Sequence, residues 1–167
     1  MCIRDSANAE HDAHNFFKEA GSCSHLVINT NDNGPGSLRE MIACASIGDT
    51  ITFQNTLTGA TILLNSNRLE IDKNIYIHCT VSPPVKINSS IPGAIYIDPG
   101  TAVEFKNIEI TSGLAGQPGA AFENYGVLTL WDVTILRNPS LPDGHYLIFN
   151  SGSGVVVSKG MIKLEID

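Results

Sequence analysis

The sequence predicts an all-β fold, a parallel β-solenoid with a short capping helix near its N-terminal end. Segments of alternating apolar and polar residues fill most of the chain, and turn residues recur between them at a fixed period. Alternation is typical of strands with one buried face, and a fixed period is typical of stacked units. In an antiparallel sandwich, Asn-Gly hairpins would join neighbouring strands, whereas here each turn faces its own copy one period later.

Composition disfavours several other classes of protein. The 167 residues are 43% hydrophobic and 16% charged, which leaves enough apolar material for a core and disfavours disorder and a coiled coil. No apolar run approaches the ~18 residues that a membrane-spanning helix needs. The net charge of −7 disfavours nucleic acid and anionic membranes. We therefore expect no nucleic-acid partner and no membrane insertion.

The capping helix is predicted from a motif that follows the first strand-like segment, 26–29. Ser37 and Glu40 form a capping-box pair, in which the hydroxyl accepts from a backbone N–H and the carboxylate reaches back. The apolar residues that follow at helical spacing are Leu38, Met41, Ile42 and Ala45. We expect the helix to end at Gly48. A helix of about ten residues is unstable alone in water, so it must lie against a flat apolar surface.

A first column of turn residues is predicted where the strands bend. The segments 69–77, 103–110 and 128–135, and more loosely 155–162, share alternation, then a polar pair, then alternation again. A sharp bend that keeps apolar side chains on one inner side needs a left-handed residue, which Asn, Asp and Gly tolerate best. The residues predicted for this position are Asn74, Asn107, Asp132 and Gly160.

A second column is predicted from glycines. Gly100, Gly126 and Gly152 are spaced 26 and 26 residues apart. Two residues before them stand Asp98, Asn124 and Asn150, and four residues before them stand Tyr96, Phe122 and Ile148. Stacked coils place like residues ~4.8 Å apart, so the amide side chains can bond to one another along the stack. We predict coils of about 25 residues, each with roughly three short strands.

Three segments carry a resemblance to a known family: VINTNDNGPGSLREMI (27–42), GDTITF (48–53) and GAAFENYG (119–126). They resemble the right-handed parallel β-helix repeat proteins of bacterial surfaces, which have a pectate-lyase-like fold and include repeats like those of polymorphic outer membrane proteins. The resemblance covers residue 23 onward. It implies a right-handed parallel β-helix whose open end is capped by the first segment, and an extracellular or cell-surface location. It is specific for fold and much less so for function.

The N-terminal residues of the chain differ in character from the rest. Residues 1–6 resemble the translation of a transposase adapter from a sequencing library, and residues 7–22 are polar, as in a linker. We assign residues 1–22 to this artefact and linker, and residues 23–167 to a capped β-helix domain. The alternating segment 162–167 suggests either an edge strand or a truncation.

An enzyme of this architecture needs clustered carboxylates on an outward strand face, often beside a basic residue. The predicted outward positions of one sheet are mostly apolar: Ile95, Ile97, Ala121, Glu123, Leu147 and Phe149. On the next sheet they are Glu70, Asp72, Glu104, Lys106, Thr129 and Trp131, a pattern that favours a solvated face. Arg39, Arg68 and Arg137 fall in the cap and in connections, away from any predicted carboxylate pair. No catalytic residue is assigned, although a carboxylate–arginine cluster on one outer face would favour an enzyme.

The predicted apolar outer face needs a cover, because an uncovered patch of this kind is adhesive. We expect the connections 111–118 and 136–145 to fold over it. The alternative is a partner surface or the groove of a binding site.

The cysteines and the asparagine-rich loop offer two further candidate sites. A bridge between Cys23 and Cys44 would close a loop of about 20 residues and contribute ~3 kcal/mol in an oxidising compartment; bridge and free thiols both stay open. A calcium-loop spacing matches in part but has too few carboxylates, so we expect no metal and no cofactor. That spacing involves Asn29, Asn31, Asn33, Gly34 and Glu40.

The first functional hypothesis is a non-catalytic β-solenoid module for structure or adhesion, within a secreted or cell-surface bacterial protein. Its expected partners are a polysaccharide or a host or cell-surface glycan, and further modules of the same chain. The alternatives are a pectate-lyase-like enzyme that acts on polysaccharides, and a carbohydrate-binding module. The last would need exposed aromatic residues for sugar stacking, for which Trp131, Tyr76 and Tyr125 are the candidates.

Overall fold

A computed structural model of the chain describes residues 23–113, 119–140 and 146–166, which wind into a parallel β-solenoid of about five turns. Strands make up 45% of the structure, and the described residues contain one short α-helix. The predicted all-β solenoid with a capping helix is therefore confirmed. The assignment of residues 1–22 to an artefact and linker lies outside the described residues.

Three sheets of parallel strands form the walls of the solenoid. The six-stranded sheet contains β1 (Leu26–Val27), β2 (Thr50–Phe53), β5 (Ile75–His78), β8 (Ala102–Lys106), β11 (Val127–Trp131) and β14 (Val155–Lys159). The five-stranded sheet contains β3 (Thr61–Leu64), β6 (Lys86–Ser89), β9 (Glu109–Thr111), β12 (Thr134–Arg137) and β15 (Lys163–Ile166). The four-stranded sheet contains β4 (Leu69–Ile71), β7 (Ile95–Ile97), β10 (Gly119–Asn124) and β13 (Tyr146–Asn150). Each strand pairs in parallel with its counterpart one coil later.

The core consists of columns of inward side chains that run along the solenoid axis. In one column Ile75, Val103 and Leu128 are in register, and all three are buried. The rings of Phe105 and Phe122, from different sheets, meet edge to face at 5.3 Å between centroids. Because every second residue of a strand points inward, the alternation in the sequence is sufficient to build these columns.

The helix α1 (Leu38–Cys44) covers the first coil with its buried residues Leu38, Met41 and Ile42. Ser37 caps it, since its hydroxyl accepts from the N–H of Glu40 at 3.2 Å. The carboxylate of Glu40 accepts from the N–H of Gly36 at 2.6 Å, one residue earlier than a standard capping box requires. A 3₁₀ turn (Asn55–Leu57) follows β2.

The helix ends at Cys44 instead of at Gly48 as expected from the sequence. Ala45 leaves the helical region with ψ 147°, and a disulfide joins Cys44 to Cys23, with Cα atoms 5.6 Å apart. Gly48, at φ +90°, belongs to the next turn, where its N–H donates to the carbonyl of Asn74 at 2.8 Å. Residues 45–49 therefore form the connection from the helix to β2, and the helix is shorter than expected.

The first predicted column of turn residues, where the strands bend, contains three of its four predicted members. Asn107, Asp132 and Gly160 have φ values of +52°, +53° and +68°. Asn74 does not belong there: it precedes β5, and its side-chain oxygen accepts from the N–H of Ala102 at 2.8 Å. Because β5 is in register with β8, Cys79 lies beneath Asn107, and its carbonyl accepts from the side-chain amide of Asn107 at 2.9 Å.

The predicted glycine column is wrong in its first and last members. Asn124 and Asn150 are in register, and the amide of Asn124 donates to the side-chain oxygen of Asn150 at 2.7 Å. Asp98 is shifted by one residue, since Ile97 is the partner of Asn124. The turns differ in length, with residues 98–101 between β7 and β8, 125–126 between β10 and β11, and 151–154 between β13 and β14. Gly100 and Gly152 therefore lie in longer turns, and only Gly126 packs against the backbone beneath it.

Candidate functional site

The outer face of the four-stranded sheet differs from the sequence prediction. Ile95 and Ile97 point inward and are buried, so they are not outward positions. The outward column is Glu70, Tyr96, Glu123 and Phe149, one residue per strand. The prediction assumed equal turns, and a shift of one residue moves every side chain of a strand to the opposite face. The face is therefore polar and aromatic, where an apolar face was expected.

Arg68 lies beside a pair of carboxylates on this face, contrary to the prediction for the arginines. Its Nε is 3.3 Å from Oε1 of Glu70, and its Nη1 is 3.0 Å from Oε2 of Glu123. Its guanidinium carbon lies 4.0 Å from the centroid of the Tyr96 ring. We call Arg68, Glu70, Tyr96 and Glu123 the arginine cluster. It joins three successive coils.

The two carboxylates of the arginine cluster have different environments. The side chain of Glu70 is 68% exposed, whereas that of Glu123 is 5% exposed. Oε1 of Glu123 is buried without a hydrogen-bond partner. Burial raises the pKa of the Tyr96 phenol above its ordinary value, and the neighbouring acids Asp98 and Glu123 raise it further. Tyr96 is therefore a neutral phenol at neutral pH.

Arg39 on α1 positions the segment that carries Arg68. Its Nη1 donates to the carbonyl of Arg68 at 2.8 Å, and its Nη2 donates to the carbonyl of Asn67 at 2.5 Å. The same Nη2 is 2.7 Å from Oδ1 of Asp32. The helix cap and the arginine cluster are thereby coupled through one side chain.

Asp32 completes this arrangement from the loop before α1. Its Oδ2 accepts from the N–H groups of Asn65 and Ser66 at 2.9 and 2.7 Å. Burial raises the pKa of the carboxyl, but the hydrogen bonds from Arg39, Asn65 and Ser66 lower it more, from 3.8 to about 2. No role for Asp32 is predicted from the sequence. The feature that could have indicated one is the presence of an acid and a base seven residues apart, Asp32 and Arg39, in the segment that caps the solenoid.

The six-stranded sheet presents a second outer face. Its outward columns are Tyr76, Glu104 and Thr129, and His78, Lys106, Trp131 and Lys159. Glu70 and Asp72 do not belong to this sheet, so the predicted grouping with Glu104 is wrong. His78 Nε2 is 2.8 Å from Oε1 of Glu104.

The three candidate sugar-stacking residues do not share a face. Lys106 and Lys159, from the strands on either side of β11, lie 4.2 and 5.4 Å from the centroid of the Trp131 ring. Tyr76 is exposed on the same sheet, whereas Tyr125 packs at a corner between Tyr96 and Phe149 at 5.2 and 6.1 Å. A sugar would have to displace a lysine to stack on Trp131.

A groove of about 670 Å³ adjoins the arginine cluster. One wall is α1, through Ile42 and Ala43, and the other is β4 with the residues that flank it. Its polar lining is Arg39, Asn67, Arg68, Glu70, Asp72, Lys73 and Asp98. Its polar groups come from both walls.

The side chains of the asparagine-rich loop bond to groups of the protein itself, both within the loop and on a neighbouring turn. Asn29 Oδ1 accepts from the N–H of Asn31 at 3.0 Å, and Asn33 donates to the hydroxyl of Ser66 at 3.1 Å. Within the described part of the chain, no group of three or more His, Cys, Asp or Glu residues could coordinate a metal ion. The predicted covering residues of the connections 111–118 and 136–145 lie largely outside the described residues.

Comparison with known proteins gives no relative. No protein-family model matches the chain, and neither does any curated protein or solved structure. The described residues also contain no helix long and apolar enough to span a membrane.

Proposed function

We propose that the chain is a structural and adhesion module built on a β-solenoid, within a secreted or cell-surface bacterial protein. The observation that carries this proposal is that outward polar and charged side chains pair with one another between successive coils. Examples are His78 with Glu104 and Lys86 with Glu109, each at 2.8 Å. Pairs of this kind add to the stacking of coils, and a stiff stack of coils is suited to present a surface at a distance.

The disulfide supports a location outside the cytoplasm. Cys23 and Cys44 are joined across a separation of 21 residues at the capped end. Structural disulfides persist in oxidising compartments and are rare in the cytosol of mesophiles. Expression with and without export, followed by thiol labelling under denaturing conditions, tests this: one reactive thiol besides Cys2, that of Cys79, is expected in the exported form.

The adhesion ligand that we propose is a polysaccharide or cell-surface glycan. The exposed rings of Tyr76 and Trp131 on the six-stranded sheet support it, because aromatic faces bind the apolar faces of sugars. A glycan array with the intact chain tests this. Trp131→Ala is expected to abolish the signal, and Tyr146→Ala, an exposed aromatic on another sheet, is the matched control.

The arginine cluster favours one second candidate, an enzyme that acts on polysaccharides. Glu70 is exposed at the groove and Arg68 lies between two carboxylates, a combination found in acid–base sites. Against it, Glu123 is buried and both arginine contacts are made to the protein's own side chains. The module remains the better-supported proposal.

Assays on pectin and alginate, with calcium present, separate the two candidates. The module predicts no unsaturated or reducing product together with retained glycan binding. Product that disappears in Glu70→Gln but persists in Asp72→Asn would establish the enzyme and contradict the module.

A further inference from the structure

The loop before α1 contains the pair Asn33 and Gly34, the single Asn-Gly pair in the sequence. Both residues are exposed, and they lie in a bend outside the helices and strands. Gly34 has a φ of +89°, and a Cβ on it would meet nothing within 4 Å. The space beside Gly34 is therefore open, and the glycine carries no side chain that would hinder an approach to its backbone nitrogen.

Hydrogen bonds hold the Asn33–Gly34 pair on two sides. The side-chain Nδ2 of Asn33 donates to the hydroxyl of Ser66 at 3.1 Å. The carbonyl of Gly34 accepts from the N–H of Ser37 at 3.1 Å. Among the described residues, no acceptor bonds to the N–H of Gly34 and no donor bonds to Oδ1 of Asn33. The side-chain carbonyl of Asn33 and the nitrogen of Gly34 are therefore not engaged by other groups.

An asparagine side chain reacts with the backbone nitrogen of the next residue when that nitrogen is accessible, and this makes asparagine thermolabile. The nitrogen of Gly34 loses its proton and bonds to Cγ of Asn33, which closes a succinimide ring, and the side-chain amide leaves as ammonia. Water then opens the ring. Breaking the bond between the ring nitrogen and Cγ gives aspartate. Breaking the bond between the ring nitrogen and the backbone carbonyl gives isoaspartate, in which the chain runs through the side chain.

We propose that Asn33 is a site of spontaneous modification, at which reaction with Gly34 replaces the side-chain amide by a carboxylate and loosens the N-terminal cap of α1. The net reaction consumes water and releases ammonia, and it needs no oxidant, enzyme or cofactor. This inference goes beyond the proposed function and does not depend on it, because the proposed glycan binding through Trp131 occurs on the outer face of the six-stranded sheet.

The added carboxylate places a second negative charge next to Asp32. Oδ2 of Asp32 accepts from the N–H groups of Asn65 and Ser66, and its Oδ1 is 2.7 Å from Nη2 of Arg39. The pKa of about 2 keeps Asp32 ionised at neutral pH. A like charge on the neighbouring residue repels it. The modified side chain also has no N–H with which to donate to the hydroxyl of Ser66.

The isoaspartate form in addition lengthens the backbone between residues 33 and 34. Gly34 is bonded to Ser37, the N-cap residue of α1. Two positions later, the N–H of Gly36 donates to the carboxylate of Glu40, and its carbonyl accepts from the N–H of Ile28 at 3.0 Å. A displacement of Gly34 therefore reaches the first turn of the helix through the hydrogen bonds that cap it.

The test incubates the intact chain in mildly alkaline buffer and maps its peptides by mass spectrometry over time. The peptide that contains Asn33 is expected to gain the mass of an amide-to-acid exchange and to separate into aspartate and isoaspartate forms. Asn124 and Asn150, whose side chains bond to each other, are internal controls and should stay unchanged. In Asn33→Gln the longer side chain loses the attack geometry, and about hundredfold slower conversion is expected.

Hydrogen exchange at the N–H of Ser37 measures the effect on the cap. Severalfold faster exchange is expected in the modified chain and in Asn33→Asp, which supplies the aspartate form directly, whereas the amides of β11 should not change. A synthetic peptide of residues 29–37 is the unfolded reference. Conversion in that peptide but not in the intact chain overturns the proposal, as does equal conversion in Asn33→Gln. A modified chain in which Ser37 exchanges at its original rate overturns it as well.

Discussion

Inward side chains at the two ends of the solenoid differ in how far they are exposed to solvent. At the N-terminal end, α1 covers the first coil, and the inward residues of that coil are buried, as for Ile51 and Ile62. In the coil that contains β14 and β15, Val156 and Leu164 occupy inward columns and are 38% and 61% exposed. An inward side chain is thus buried by the neighbouring coil, and the strand that carries it is not sufficient to bury it. In a stacked fold, each layer completes the core of the one beside it.

The largest effect is expected where a buried and an open layer are compared directly. Leu128→Ala removes a fully buried leucine between two layers, and about 3 kcal/mol of unfolding free energy should be lost. Leu164→Ala is the matched control in the open layer, and about 0.5 kcal/mol or less is expected. Urea unfolding followed by circular dichroism measures both, and equal losses would contradict the comparison.

The disulfide should contribute to the capped end alone. Replacing Cys23 and Cys44 together by serine is expected to lower the unfolding free energy by about 3 kcal/mol, because the unfolded chain gains the entropy of an open loop. Hydrogen exchange should speed up in α1 first and leave β14 unchanged. A uniform acceleration along the chain would show that the cap has no local role.

The contact of Asp32 with Arg39 should make the stability of the fold depend on pH in the acid range. The folded pKa of about 2 lies below the ordinary 3.8, so the stabilisation is complete above the ordinary value and is lost as the pH falls through about 2. Asp32→Asn should cost about 2 kcal/mol at neutral pH, and the difference from wild type should vanish near pH 2. A difference that stays constant from pH 5 to about pH 2 would exclude this linkage.

The smallest effect concerns the corner turns of a covered and an open layer. A Cβ on Gly126 would overlap the carbonyl oxygen of Thr101, whereas one on Gly152 would meet nothing within 4 Å. Gly126→Ala should therefore cost about 1–2 kcal/mol and Gly152→Ala about 0.5 kcal/mol or less. Thermal unfolding of the two variants compares them, and the reverse order would refute the register at this corner.

Prediction from the sequence succeeded where the signal is local. The Ser37 cap of the helix and the bends at Asn107 and Asp132 each depend on a few neighbouring residues. The stacked pair Asn124 and Asn150 was predicted from the 26-residue spacing instead, and it is in register. Prediction failed at Asn74 and at the outward face of β7, because both depend on how many residues each turn contains. An alignment of turns that assumes a constant period cannot detect an insertion at one corner.

The sequence by itself determined that the strands stack in parallel and that a short helix caps one end, because alternation, period and capping motif are written in contiguous residues. Only the tertiary structure decided that Arg68 lies between Glu70 and Glu123, the latter 55 residues away, and that β4 keeps a free edge beside α1. The physical reason is that the register between coils follows from turn lengths and core packing together. One residue gained in a turn changes which side chains meet outside, while the apolar columns inside remain filled.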